Sequence, residues 1–238
     1  NFVLSLGVAK REAISDFDHL EYYLRENLNS ISYRTMAVLD PIKLIIENYD
    51  ENKTELLEAE NNPEDSSYGT RMLTFSKELY IERNDFMENP PKKFFRLSVG
   101  KEVRLKHAYY VRCTSFKTDP KGKLMEIKCK YDPTTKGGWS NDGRKVRWTI
   151  HWVSTLDAIN AEVRLYNRLF NIENPELNDI NLESKKIVNT AKVESSLGKI
   201  DFNKKYQFLR LGYFVLDKDT RSDNLIFNQS VALRSNWK

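Results

Sequence analysis

Basic and aromatic side chains alternate along one stretch of this 238-residue chain. Lys92, Lys93, Arg96, Lys101, Arg104, Lys106 and Arg112 are interleaved with Phe94, Phe95, Tyr109 and Tyr110. On an extended strand, alternate residues share a face. A face of this kind can offer arginine forks to phosphates or base edges, and rings to unpaired bases. Single-stranded RNA loops suit that combination best. The bland alternative gives the rings to a core and the cations to solvent.

Other chemistry is missing. His19, His107 and His151 each lie more than four residues from any other His or Cys, so metal-ligand spacing is absent. Cys113 and Cys129 are too few for a disulfide framework or a four-cysteine zinc site, which fits a reducing cytosol. There is no Gly-rich phosphate loop and no Gly-x-Ser-x-Gly elbow. No catalytic residue, metal or cofactor is therefore assigned to this stretch of chain.

Strands must position the basic and aromatic residues. Met36–Leu39 and Ile42–Ile46 flank an Asp40-Pro41 turn, and Leu73–Phe75 and Leu79–Ile81 continue the pattern. Further strands are expected over Phe94–Val99, Val103–Phe116, Leu124–Tyr131, Val146–Val153, Val163–Phe170, Lys204–Leu216 and Leu225–Leu233. Asn181–Leu197 fits a strand or a short helix. Gly137-Gly138 and Asn141-Asp-Gly143 punctuate a long loop. One helix is expected early: Ser15 and Asp16 are N-cap types, and Phe17, Leu20, Tyr23 and Leu24 recur at helical spacing up to about Leu28. Many short strands separated by turns indicate barrels.

Composition agrees with a globular chain able to bury a core: 40% is hydrophobic and 30% charged. No apolar run reaches the length of a transmembrane helix, and no secretory leader is visible, so no membrane partner is expected and the cytoplasm is the expected compartment. The start at Asn-Phe-Val, without Met, is expected of a piece of something longer. The net charge of +4 hides an asymmetry: residues 40–90 carry 13 acidic and 5 basic side chains, whereas residues 91–149 carry 16 basic and 5 acidic. The basic half suggests a surface for a polyanion.

Several of these segments, taken in order, resemble the C-terminal anticodon-binding region of glutaminyl-tRNA synthetases, which belong to class I. The landmarks are Arg34-Thr-Met-Ala-Val-Leu-Asp-Pro41, Gly100-Lys-Glu-Val-Arg-Leu105, Asp142-Gly-Arg-Lys-Val146, Ile150-His-Trp-Val-Ser154 and Gln207-Phe-Leu-Arg-Leu-Gly-Tyr-Phe214. The resemblance covers nearly the whole chain. It implies a mainly β fold of two antiparallel β-barrels behind a short N-terminal helical segment. Carried over, residues 1–32 end a helical connecting subdomain, 33–92 and 179–238 make a proximal barrel, and 93–178 make a distal one. The class I ATP-binding signatures are absent, so ATP (with Mg) and glutamine are expected upstream, in a catalytic domain joined in cis. The fragment alone is expected to be inactive and monomeric, with the anticodon stem-loop of tRNA(Gln) as its partner.

The resemblance also nominates anticodon readers. Arg34, Gln207 and Arg210 match the residues that close around the middle base, a uridine; Arg96 matches the reader of the third base, a guanine; Arg104 matches the residue at the first base. Gln207 and Arg210 share a face only if their strand bulges, because an offset of three flips faces. Phe95 departs from the family pattern and is expected to pack in the barrel. The alternatives are the corresponding region of a eukaryotic-type glutamyl-tRNA synthetase, or a non-enzymatic RNA-binding β-barrel protein.

Overall fold

The computed structural model describes residues 2–7, 17–170, 172, 176 and 179–234. A short helix α1 (Phe2–Leu6) precedes α2 (Phe17–Ile31), and sixteen strands follow among the described residues. Helix α2 runs one turn beyond Leu28, and the N-cap candidates Ser15 and Asp16 lie outside the described residues. Its Leu28 is buried against Tyr213 and Val231, with Leu24 beside them. Arg25 Nε donates to the Ala232 carbonyl at 2.9 Å, fastening the same face of the helix to the first sheet.

The first sheet has seven strands. In spatial order they are β1 (Tyr33–Thr35), β14 (Tyr206–Phe208), β15 (Gly212–Leu216), β16 (Leu225–Ala232), β12 (Ile159–Tyr166), β13 (Lys185–Val193) and β2 (Ala37–Val38). Its outermost members β1 and β2 are separated in sequence by Met36 alone, so the sheet curls until its two edges nearly meet. Val163, Val193, Phe208, Phe214 and Phe227 fill the interior. The segment that fitted either a strand or a helix is a strand, β13, followed by a single 3-10 turn at Ser195–Gly198.

The second sheet repeats the device. Its order is β10 (Thr149–Ile150), β7 (Glu102–Leu105), β8 (Tyr110–Thr118), β9 (Leu124–Asp132), β3 (Pro41–Ile46), β6 (Glu78–Glu82) and β11 (Trp152–Ser154). Here His151 alone separates the edge strands β10 and β11. Strand β3 shows why it belongs here: every second residue is buried, and Leu44 pairs in register with Ile127 of β9 and with Leu79 of β6. A hairpin of β4 (Glu55–Glu60) and β5 (Thr70–Phe75) stands apart as a two-stranded sheet. Arg71 of that hairpin is clamped to Glu194 after β13, both side chains nearly buried, and Glu194 also accepts the Met36 N–H at 2.9 Å.

Sheet membership cuts across the order of the sequence. Strands β3 and β6, from the segment 33–92, join the second sheet, while β12 at 159–166 joins the first. The second barrel therefore draws on residues 41–154, and the first on 33–38 and 159–232. The acidic and basic stretches thus share one barrel, as the register pairing of β3 with β9, Lys43 beside Glu126, illustrates. Both sheets are predominantly antiparallel, but four pairings run parallel: β1 with β14, β7 with β10, β12 with β16, and β3 with β9. Parallel pairs arise because distant segments return to strands already in place. The strand expected over Phe94–Val99 is instead irregular backbone between two turns, with Leu97 alone bridging to Phe86. Among the described residues, no helix is long and apolar enough to cross a membrane. Cys113 and Cys129 are buried free thiols, opposite one another on β8 and β9.

Candidate RNA interface

Strands β1 and β14 place Arg34 and Gln207 side by side as register partners. Arg34 is held from two directions: Nη1 donates to the Ser32 carbonyl at 2.8 Å, and Nη2 to Asn29 Oδ1 at 2.9 Å. Tyr213 Oη donates to the same Asn29 oxygen at 3.2 Å and receives the Gln207 amide N–H at 3.1 Å. The four side chains form one polar cluster between α2 and the first sheet. Burial pulls the Arg34 guanidinium below its ordinary value, against the opposing pull of Tyr213 and Glu64. The guanidinium is thereby oriented before any ligand arrives.

Arg210 does not join that cluster by any hydrogen bond among the described residues. Strand β14 ends at Phe208, and Arg210 sits in the tight turn to β15 with φ of 70°, a left-handed conformation that costs a non-glycine residue free energy. The turn closes with the Leu211 N–H on the Phe208 carbonyl at 2.9 Å. It is followed by Gly212, where a Cβ would stand 2.7 Å from the Val231 carbonyl oxygen. A turn, rather than a bulge, separates Gln207 from Arg210, and it sends the guanidinium toward the second barrel. There Nη1 and Nη2 donate to the two carboxylate oxygens of Asp85, each at 2.6 Å. Asp85 is fully buried.

Arg96 approaches the same carboxylate, with Nε 3.6 Å from Oδ1, and its Nη1 donates to the Asn84 carbonyl at 3.0 Å. The indole of Trp148 stands near both cations: the Arg96 and Arg210 Cζ atoms are 5.5 and 5.8 Å from its ring centroid. Both contacts fall within cation–π range. The structure thus brings Arg96 and Arg210 together on Asp85, and keeps Arg34 with Gln207 in a separate cluster.

Arg104 is tied to the second group through the backbone, since its N–H donates to the Trp148 carbonyl at 3.0 Å. Its guanidinium lies over the rings of Tyr110 and Trp139, at 5.5 and 5.1 Å, and Nη2 donates to Tyr110 Oη at 3.2 Å. Arg104, Arg210, His151 and Trp139 line a cleft of about 700 Å³ together with Lys106 and Glu58. His107 also lines it, and burial, then the nearby Lys106 and Arg71, lower its imidazole to about 4. At neutral pH that ring is uncharged.

Sequence reasoning overlooked four contributors. Asp85 reads as one more acid in an acidic stretch, and nothing in its neighbours marks it as the anchor of two arginines. His151, Trp139 and Trp148 were present in quoted motifs or loops without a role. The alternation of Trp148 with Val146 and Ile150 points to a strand face, while the Gly-Gly before Trp139 signals only a turn. Phe95 corrects an expectation: it is 42% exposed, and the Arg147 Cζ stands 5.0 Å from its ring centroid, so it does not pack in the barrel. Its irregular backbone has no ladder to direct the side chain inward.

Two family models, both described as tRNA synthetases class I (E and Q), anti-codon binding domain, match residues 32–132 and 149–217. The relatives include proteins named glutamine–tRNA ligase. That of Nitrobacter winogradskyi is 48% identical over 99% of this chain and 43% of its own length. That of Clostridium kluyveri is 47% identical over 100% of this chain and 44% of its own, and that of Vibrio campbellii 45% over 99% and 43%. The chain therefore spans less than half the length of these curated relatives. Arg34, Arg96 and Arg104 fall in the first matched stretch, and Gln207 and Arg210 in the second. On these matches, which take in both barrels, the chain belongs to the anticodon-binding domain family of the class I tRNA synthetases for glutamate and glutamine.

Proposed function

We propose that this chain is the part of a glutamine–tRNA ligase that reads the anticodon of tRNA(Gln). The observation that carries this reading is the near-half identity, over the whole chain, to proteins bearing that name. The whole enzyme would join glutamine to its tRNA at the expense of ATP, with ATP, Mg and glutamine bound by a catalytic domain in cis. The chain acts as a monomer in the cytoplasm, and its own residues bind and orient RNA.

Each nominated residue has chemistry suited to its base. Gln207 carries an amide that can accept from a uracil imino group while its N–H remains on Tyr213. Arg34 beside it adds donors for the uracil carbonyls, whereas Arg210 stands apart with Arg96 on Asp85. Arg96 is 36% exposed in its side chain and is only loosely paired to Asp85, so its fork is available for guanine O6 and N7. Arg104 at the cleft mouth serves the first base. The test is Arg96→Ala in the full-length protein, with tRNAs carrying guanine or adenine at the third anticodon position. Loss of about 1–3 kcal/mol against the guanine form, with discrimination relaxed at that base, is expected. An unchanged guanine preference would remove Arg96 as the reader.

A further inference from the structure

Trp139 lies between the two stretches matched by the family models. Its side chain is 73% exposed, an unusual position for the largest apolar side chain. The backbone that carries it is nonetheless fixed. Gly137 and Gly138 both adopt left-handed conformations, with φ of 81° and 84°. The Gly138 N–H donates to the Thr135 carbonyl at 2.9 Å, and buried Thr135 in turn accepts the Tyr110 N–H on its hydroxyl at 2.9 Å. A Cβ on Gly138 would stand 2.9 Å from Arg104 Cδ, so the loop presses directly on the Arg104 stem. The Arg104 guanidinium then covers one face of the indole at 5.1 Å. Arg104 Nε is buried there with no hydrogen-bond partner.

We propose that Trp139 is a stacking platform for an unpaired nucleobase at the mouth of the cleft, with Arg104 as its backing. This inference rests on the anticodon-reading function above and adds a binding residue to it. A ring held flat by a guanidinium on one side offers its other face to any base, because every base has a π-face. Glu58 and Glu60 line the cleft together with Arg104, Lys106 and Arg210. The carboxylates can accept from base amino and imino groups, donors that a phosphate lacks.

The experiment uses the full-length protein and its Trp139→Ala and Trp139→Phe variants. The probes are hairpin RNAs with a glutamine anticodon loop, the same loop made abasic at each anticodon position in turn, and a hairpin of unrelated loop sequence. Trp139→Ala is expected to weaken the intact hairpin about 5- to 100-fold, and Trp139→Phe to retain most of the affinity. The penalty of Trp139→Ala should vanish on one abasic loop, that of the first position. An equal penalty on all three abasic loops, or none on the intact hairpin, would overturn the platform. A shift in the thermal midpoint matching the loss of binding would also overturn it, since an exposed indole contributes little to folding. Failure of the unaltered protein to prefer the glutamine loop over the unrelated one would instead strike the anticodon-reading function itself.

Discussion

Asp85 offers the sharpest energetic test, because one fully buried carboxylate anchors two arginines from different parts of the chain. Asp85→Asn keeps the size of the side chain and removes its charge. The bidentate pair to Arg210, at 2.6 Å on both arms, becomes a single neutral acceptor beside a cation. Breaking one side of a buried pair costs about 3–5 kcal/mol. The Arg210 and Arg96 side chains are 27% and 36% exposed and can turn toward water, so the cost belongs at the lower end, about 3 kcal/mol. For a chain of this size that lowers the thermal midpoint by about 6–12 °C. Thermal and urea unfolding of the Asp85→Asn and Arg210→Ala variants and their combination should give a coupling of about 1–3 kcal/mol. The Asn variant should also lose discrimination at the anticodon, because Arg210 is no longer aimed. A loss below about 0.5 kcal/mol, with the two changes strictly additive, would refute the view that Asp85 joins the barrels and positions the arginines.

Two further outcomes follow from buried groups. Burial pushes the Glu55 carboxyl up, but hydrogen bonds from Lys53, Tyr109, Lys136 and Tyr49 outweigh it and hold the group at about 2 against an ordinary 4.5. Its folded value lies below the unfolded one, so its contribution is complete above about pH 4.5 and is lost as pH falls toward 2. Glu55→Gln should flatten the stability profile in that window, and parallel profiles for the two proteins would contradict the network. Cys113 and Cys129, both at most 1% exposed, should resist alkylation in the native state and react together on unfolding, as followed by mass spectrometry in rising urea. Burial raises the Cys129 thiol, which adds to its protection.

The long strands were legible because their burial alternates. Ile42, Leu44 and Ile46 are buried against the less buried Pro41, Lys43 and Ile45, and the β-branched, apolar run marks the strand even though Ile45 interrupts a strict alternation of residue types. The closures were not legible. Each barrel changes direction at a single residue, Met36 or His151, between strands of two or three residues, and pieces so short carry no periodicity. Strand partners were equally hidden: β3 looks the same whether it pairs within 33–92 or with β9, and only the packed core decides. Phe94–Val99 has strand composition but finds only the single bridge of Leu97 to Phe86, so it stays irregular, with Leu97 fully buried. Arg210 occupies a left-handed turn position usually held by Gly or Asn, and no residue type announces it. Resemblance nominates the residues, but their division into two clusters needed the turn at Arg210 and the burial of Asp85.

The central claim is that the two barrels read an anticodon rather than attract RNA by charge. It is tested most directly by filter binding of the full-length protein to tRNA(Gln) transcripts that differ only in the anticodon, across a range of salt. Reading predicts that changing the middle uridine or the third guanine weakens binding by about 1–3 kcal/mol per base, and that this gap persists as salt lowers every affinity together. Equal affinity for all anticodons at every salt concentration would reduce the surface to a basic patch and contradict the account.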